Sequence, residues 1–454
     1  DLTHGSITKG LLLFALPMIA GNLLQQLYNI ADTLIVGQAL GRNALAAVGS
    51  AYTLMVFLTS IFLGLSMGAG ALFSICLGRG NKKALRAAVA HAFALIGAVT
   101  LVLNLSVYLL ADPILRFLQI PHELYSSMRD YLLIIFGGLA ATFLYNFFAC
   151  LLRAVGNSVV PLWFLGISAL LNIGLDLACI IVFDMGVFGA AFATVFSQGV
   201  AGVGSLLYIL RHYHELRWSK DEGAFSLPHC AKLCSMGIPM GLQCSITAIG
   251  SVVLQGAVNG LGSDIVAAQT AGSKAAQFLC VPLESIGTAM TTYASQNMGA
   301  HDLKRVDRGV YTALGIGCVY SVASFLILRF TDKLLIGLFL EAKETAIMAN
   351  AQSFIFWNSV FYIPLAVLII YRYTIQGLGY SGLAMFAGVA EMVARAMVGF
   401  WFVPLWGYFA ACIASPVAWF FACFFLIPAY FVVRKRLQKE MDIEKEHDAR
   451  TANA

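Results

Sequence analysis

The stretch LPMIAGNLLQQLYNIADTLIVG, from Leu16 to Gly37, carries the strongest structural signal in this sequence. It is long and apolar, yet its polar residues recur every three or four positions and therefore share one face of an α-helix. These residues are Asn22, Gln25, Gln26, Asn29, Asp32 and Thr33. A charge inside a bilayer costs about 2.5–3.5 kcal/mol on insertion scales, so it persists only beside partners or water. The stretch predicts a membrane helix whose polar face lines a water-filled cavity. The alternative is that this face forms hydrogen bonds to neighbouring helices.

The composition of the whole chain extends this interpretation. Of its 454 residues, 60% are hydrophobic and only 11% are charged, whereas an average soluble domain has about 45–50% apolar and about 25% charged residues. The excess apolar surface must face lipid, and no polar stretch is long enough to fold as a soluble domain. The basic residues are spread among short loops without forming one basic face, so nucleic acid is not an expected partner.

Twelve apolar segments are long enough to cross the hydrocarbon core, which takes about 20 residues. They cover residues 10–38, 44–78, 87–111, 127–151, 159–183, 186–210, 231–261, 265–298, 309–330, 347–376, 381–403 and 407–433. The first segment is longer than a signal-peptide core and lacks a small-residue cleavage site, so we expect it to remain as a span. Asp1 is not an initiator methionine, and we expect the native start to precede it.

The lysines and arginines of the loops predict the orientation. Twelve spans put both ends of the chain on one side of the membrane. With cytoplasmic ends, nineteen of the 28 basic residues lie in inner loops and tails, Lys82 and Lys220 among them. Only six lie in outer loops, including Arg42 and Lys343. Because cytoplasmic loops carry the excess of basic residues, we expect a multi-pass protein of the plasma or inner membrane with both termini in the cytoplasm.

Short motifs recur along the chain at a common offset of about 222 residues. Phe14–Met18 (FALPM) resembles Met236–Met240 (MGIPM), and Gly41–Ala47 (GRNALAA) resembles Gly262–Ala268 (GSDIVAA). Six spans per repeat give both halves the same orientation, so the sequence predicts an all-α membrane fold of two six-helix lobes related by a pseudo-two-fold axis along the membrane normal. Lobes of this kind are expected to enclose a central cavity. The predicted regions are a first lobe at 1–210, a cytoplasmic connector at 211–229, a second lobe at 230–433 and a cytoplasmic tail at 434–454.

Polar residues in three spans of the first half form a candidate cation site. Asn172 and Asp176 are four residues apart and share a helix face, Thr194 lies in the sixth span, and Asp32 ends the polar stripe of the first. Together they offer hard oxygen ligands suited to Na+, or a carboxylate pair that shares a proton, and the two ions would compete for the site. A structural role, in which the carboxylates cap or pair across helices, is the alternative.

The second half has a polar stripe of its own in the eighth span. It includes Lys274, Gln277 and Glu284 at helical spacing. Glu284 is suited to attract a cationic compound, whereas Lys274 would oppose one or pair with a carboxylate. Glu391 and Arg395 are four residues apart, which favours an internal ion pair, although Arg395 also falls near Asn172 in the repeat alignment. The candidate residues for a substrate cavity are Gln25, Asn29, Lys274, Gln277, Glu284 and Arg395.

Several motifs taken together resemble the multidrug and toxic compound extrusion (MATE) family. They are the opening stretch Leu16–Gly37, the loop Leu77–Lys83 (LGRGNKK), Arg153–Ser158 (RAVGNS) and the pair Asn172 and Asp176. The resemblance covers essentially the whole chain. It implies an antiporter that exports amphiphilic, often cationic compounds in exchange for Na+ or H+, and hence a role in antibiotic resistance. It also implies a cation site at Asp32, Asn172, Asp176 and Thr194.

The sequence departs from one pattern found in this family. Some members place acidic residues in spans seven and ten, but the corresponding spans here carry neutral polar residues. These are Gln243, Thr247, Ser251 and Gln255 in span seven and Asn358 and Tyr362 in span ten. Ion coupling through the second lobe by that route is therefore not expected.

Two other functions are possible for a chain of many apolar helices. A flippase for lipids or lipid-linked oligosaccharides, of the same superfamily, is the alternative, but its cavity should be basic enough to bind pyrophosphate. A membrane enzyme is not expected, because no carboxylate cluster suited to Mg²⁺ is found. Cys230 and Cys234 lack a partnering Cys or His pair, so no metal is expected there. We expect no cofactor beyond the coupling ion, no obligatory protein partner, and a monomer.

Overall fold

The structure is a computed structural model that describes residues 1–117, 121–217, 226–338 and 345–452. Lys220 and Lys343, used above to orient the chain, lie outside these residues, as does the middle of the predicted connector. The side chains of Arg42 and Arg450 are also outside the description.

The first half of the chain consists of long helices that follow the predicted spans. They are α1 (Ile7–Leu40), α2 (Arg42–Gly78), α3 (Lys82–Phe117), α4 (His122–Gly137), α5 (Leu139–Ala154), α6 (Val159–Asp176) and α7 (Gly186–His212). A π-helical segment, Leu177–Val182, follows α6 directly, and a short 3₁₀ turn, His214–Leu216, follows α7. The fourth predicted span is the bent pair of α4 and α5, whose axes differ by 47°.

The second half repeats this order. Its helices are α8 (Leu227–Asn259), α9 (Ser263–Gly299), α10 (Leu303–Ile336), α11 (Thr345–Val360), α12 (Tyr362–Gly377), α13 (Ser381–Met397), α14 (Val403–Trp406) and α15 (Tyr408–Ala452). The tenth predicted span is the pair of α11 and α12, bent by 53°, and a π-helical segment, Val398–Phe402, again follows the helix α13. Helix α15 continues beyond the last predicted span, through the polar residues of the predicted tail, as far as Ala452.

The breaks between helices match as closely as the helices themselves. Gly41 and Gly262, which precede α2 and α9, have φ values of 89° and 111°. Gly186 and Gly407, which begin the last span of each half, have φ values of 60° and 61°. Residues with a side chain rarely adopt this left-handed region, so glycine suits these positions, where the chain must turn. The internal repeat predicted from short motifs is confirmed by the order of the elements.

The helices are long and apolar enough for a multi-pass membrane protein. Within the described part of the chain, nine helices are long and apolar enough to cross a membrane, and the two bent pairs raise this number to eleven. The remaining predicted span is the 37-residue helix α9, which carries the polar stripe that includes Gln277 and Glu284. The all-α membrane fold is thus confirmed.

The chain forms two compact units. One contains residues Leu16–Gly241, and the other contains Asp1–Ala15 together with Leu242–Ala454. In the first, phenylalanines pack edge to face around Phe147, which is fully buried. In the second, one apolar cluster joins α8 and α15 through Leu254, Val258 and Ala410. The lobe limits given above stay a prediction.

Candidate cation site

Two elements of the first half position the carboxylates of the candidate site. Asp32 lies in the last third of α1, and Asp176 is the final residue of α6. The helix widens into the π-helical segment immediately after Asp176. Such local π geometry is uncommon and occurs often at functional sites. Asn172 lies one turn before Asp176 on the same helix face, as its spacing predicted.

The side chains of α6 are withdrawn from solvent. Asn172 is 2% exposed and Asp176 is 0% exposed. Asn172 Nδ2 donates to Thr194 Oγ1 of α7 at 3.4 Å, and Thr194 Oγ1 donates to the carbonyl oxygen of Ala190 at 3.1 Å. The amide nitrogen of Asn172 therefore faces Thr194, which leaves its oxygen available for another partner.

Four buried side-chain oxygens of the site have no hydrogen-bond partner among the residues that the structure describes. They are Asp32 Oδ1, Asn172 Oδ1, Asp176 Oδ1 and Asp176 Oδ2. Leaving a buried acceptor unsatisfied costs about 1–3 kcal/mol, and more for a charged group. The arrangement is therefore unfavourable by itself and calls for a bound cation or proton.

The carboxyl groups of Asp32 and Asp176 are near enough for each to act on the charge of the other. Two carboxylates this close in a buried setting do not both stay ionised without compensation, because their like charges repel. A shared proton or a single monovalent cation removes that repulsion. No group of three or more His, Cys, Asp or Glu side chains suited to a metal occurs in the part of the chain that the structure describes. Two carboxylates with an amide and a hydroxyl oxygen are instead a set suited to Na+ or H+.

The four residues predicted as a cation site thus lie in one compact unit. A hydrogen bond joins Asn172 to Thr194, and the charges of Asp32 and Asp176 act on one another. The other residues predicted on α1 are placed differently. Gln25 is exposed and Asn29 is half-buried. The Asn29 carbonyl oxygen accepts a hydrogen bond from Thr33 Oγ1 at 2.8 Å.

The substrate-cavity candidates of the second half are of two kinds. Lys274, Gln277 and Glu284 are exposed on α9, and Glu284 Oε2 accepts a hydrogen bond from the Tyr373 hydroxyl at 2.8 Å. Arg395 is instead 7% exposed. Its Nη2 atom lies 3.4 Å from Glu391 Oε2, so the ion pair predicted from their spacing is confirmed.

Sequence reasoning missed a second arginine at this ion pair. Arg372 Nη2 contacts Glu391 Oε1, although the two residues are 19 positions apart and on different helices. The Gln243 oxygen accepts a hydrogen bond from Gln376 Nε2 at 2.5 Å. The other end of the same amide lies 3.2 Å from Arg372 Nη1 and 3.1 Å from Arg372 Nε. The one available signal was an arginine inside an apolar span, which indicates a buried partner but does not identify it.

The chain is similar to known proteins over most of its length. The MatE family model matches it twice, over residues 17–178 and 239–401. The probable multidrug resistance protein YpnP of Bacillus subtilis is 29% identical over 368 residues, which are 80% of each chain. The probable multidrug resistance protein NorM of Thermotoga maritima is 27% identical over 66% of this chain and 65% of its own. The FAD transporter of Shewanella oneidensis is 24% identical over 82% of each.

Solved structures share the fold. A crystal structure of MATE in complex with MaL6 superposes with a TM-score of 0.91 at 20% identity and covers 96% of this chain and 98% of its own. A point mutant of the Vibrio cholerae MATE transporter VcmN gives a TM-score of 0.87 at 19% identity, over 96% of this chain and 97% of its own.

Proposed function

This chain belongs to the MATE family, because the MatE family model matches both of its halves, and we propose that it is a multidrug efflux antiporter driven by Na+ or H+. Membership makes it a membrane transporter and not an enzyme. The single observation that supports cation coupling is the group of four buried oxygens without partners at Asp32, Asn172 and Asp176.

The cation acts by neutralising the paired carboxylates. With the site empty, Asp32 and Asp176 repel one another; with a proton or Na+ bound, the same groups attract a shared charge. The ion drives transport only through a difference in its affinity for two conformations, since equal affinity shifts no equilibrium. A tenfold difference corresponds to about 1.4 kcal/mol. Binding of the ion then favours the conformation that releases the exported compound.

Polar groups exposed on α1 and α9 are proposed to contact the exported compound. They include Gln25, Lys274, Gln277 and Glu284, together with the half-buried Asn29. Glu284 supplies a negative charge for a cationic amphiphile, and its hydrogen bond from Tyr373 fixes the direction of the carboxylate. The names of the relatives YpnP and NorM support a drug-like cargo.

Localisation and assembly are part of the proposal. We place the protein in the plasma or inner membrane with both termini in the cytoplasm, acting as a monomer without a cofactor. The excess of basic residues in the loops assigned to the inner side supports this orientation. Two reporters fused to Ala454 test this orientation: one that is active only in the cytoplasm, and one that is active only outside the cell.

Vesicle transport tests the proposed function and identifies the ion. Purified protein is reconstituted into proteoliposomes loaded with a fluorescent cationic dye, and either an Na+ gradient at constant pH or a pH gradient without Na+ is imposed. We expect one gradient to drive movement of the dye against its own gradient, with no movement in protein-free vesicles. Dye movement that neither gradient accelerates would refute cation-coupled antiport.

A further inference from the structure

Three charged side chains lie together in the interior of the second unit. Arg372 belongs to α12, and Glu391 and Arg395 belong to α13. Their exposed fractions are 8%, 3% and 7%. We refer to these residues as the arginine cluster. The arginine cluster shares no residue with the cation site described above.

The arginine cluster contains one more positive charge than negative. Glu391 uses one carboxylate oxygen for Arg372 and the other for Arg395, so both of its oxygens are engaged. The Gln243 amide, which is neutral, lies beside the Arg372 guanidinium and adds no charge to the cluster. Burial of an uncompensated charge is unfavourable by several kcal/mol in real proteins. A net positive cluster of this kind therefore calls for a further negative group.

The unmet hydrogen-bonding capacity lies on Arg395. Its Nη1 atom is buried and has no hydrogen-bond partner in the part of the chain that the structure describes, and its Nη2 atom reaches Glu391 only at 3.4 Å. Glu284 of α9 also acts on Arg372 through its charge, but it is exposed and accepts a hydrogen bond from Tyr373. Within the described residues, no ion pair joins Glu284 to either arginine. The excess charge and the free donor thus coincide at Arg395.

We propose that Arg395 receives an anionic oxygen group, a carboxylate or phosphate, of a compound that the transporter carries. The inference deepens the proposed function and rests on it, since it assigns a substrate class: amphiphiles that carry an anionic group, alone or beside a cationic one. The planar guanidinium suits this task because its donors match the two oxygens of such a group. In the repeat, Arg395 lies near the position of Asn172, so equivalent helices of the two halves would hold ions of opposite charge.

The arginine cluster also suggests which substitution separates recognition from folding. Removing the charge of Arg395 leaves Arg372 and Glu391 as a neutral pair, so Arg395→Gln leaves no carboxylate unpaired and the fold should persist. Arg395→Lys keeps the charge but loses the fork of donors. The shielding of Nη1 in this conformation means that the anion reaches it after a conformational change, as expected of a transport cycle.

Two dyes that differ by one methyl ester test the proposal. Rhodamine 110 carries a free carboxylate, and rhodamine 123 is its methyl ester; both have the same cationic ring system. Their affinities for purified transporter are measured by fluorescence anisotropy. We expect the unmodified protein to bind rhodamine 110 at least about tenfold more tightly, the lower end for a charge-assisted hydrogen bond. In Arg395→Gln this preference should fall below twofold while the affinity for rhodamine 123 stays unchanged; Arg395→Lys should retain part of it.

Equal affinity of the unmodified protein for the two dyes, or an undiminished preference in Arg395→Gln, would overturn the proposal. The first comparison needs no variant, so it holds even if a variant fails to fold. Gradient-driven movement of rhodamine 123 in proteoliposomes reports on the proposed function alone. Movement of that dye without any carboxylate preference would overturn only the anion site, whereas failure to bind or move either dye would overturn the antiporter on which it rests.

Discussion

Replacing Gly68 with alanine should loosen the crossing of α2 and α8, where two glycine pairs bring the backbones into contact. Gly64 and Gly68 of α2 face Gly237 and Gly241 of α8. A Cβ atom on residue 68 would lie 2.6 Å from the Cα atom of Gly237 and 2.7 Å from its nitrogen. Carbon atoms in favourable contact are about 3.5–4.0 Å apart, so the helices must separate by roughly 1 Å. Backbone atoms cannot rotate away as a side chain can.

Gly70 on the same helix provides the matched control. A Cβ atom there meets Cys150 Cβ at 3.5 Å, an ordinary contact. Alanine has a higher helix propensity than glycine by about 0.8–1.0 kcal/mol, and this stabilises both variants equally. The difference in stability between the two variants therefore reports the overpacking at residue 68, about 1–3 kcal/mol.

Thermal unfolding of the purified protein measures this difference. One kcal/mol shifts the midpoint by about 2–4 °C for 150–250 residues, the size range of the unit Leu16–Gly241 that contains the crossing. Gly68→Ala should thus melt roughly 2–12 °C below Gly70→Ala at the same heating rate. Equal midpoints for the two variants would refute the inference that backbone contact limits this crossing.

Two further predictions concern buried polar contacts. Glu391→Gln removes the carboxylate that pairs with Arg372 and Arg395, so it should lower the free energy of unfolding by about 3–5 kcal/mol, measured by thermal unfolding. As a control, Glu440→Gln removes an exposed pair with Arg436 and should change the free energy of unfolding by less than about 1 kcal/mol. Similar losses in both variants would contradict the reasoning. Thr194→Val removes the hydroxyl that accepts a hydrogen bond from Asn172, so it should weaken the affinity for the coupling ion, whereas Thr194→Ser keeps the hydroxyl and should not. The affinity is measured as the ion concentration that gives half-maximal dye exchange. Equal effects of the two variants would argue against an oxygen ligand at residue 194.

Much of the fold was predictable because bilayers impose simple rules on sequence. Span lengths follow from membrane thickness, and the repeat was visible in matched glycines such as Gly41 and Gly262. The bends near Gly138 and Phe361 were not predicted. Each divides one continuous apolar run, and hydrophobicity alone does not distinguish a bent helix from a straight one. The π-helical segment after Asp176 likewise has no signal in apolar periodicity.

The candidate site was predictable in part. The spacing of Asn172 and Asp176 placed them on one face, because helical periodicity is local. The direct approach of Asp32 joins helices far apart in sequence, and it was expected from the resemblance and from the cost of isolated charges in membranes. For Arg372 the same cost indicated a buried partner but did not identify it. Its contact with Glu391 depends on how two helices pack, which one sequence does not specify.

The central claim is that Asp32 and Asp176 bind the coupling cation, and gradient-driven dye exchange in proteoliposomes tests it most directly. Asp32→Asn and Asp176→Asn each remove one of the paired carboxylates, and both should abolish exchange while the protein still inserts and binds dye. Asp112→Asn makes the same change at a half-exposed carboxylate that pairs with Arg129 at 2.9 Å, and it should leave exchange intact. Undiminished exchange in Asp32→Asn, or equal loss in all three variants, would contradict the claim.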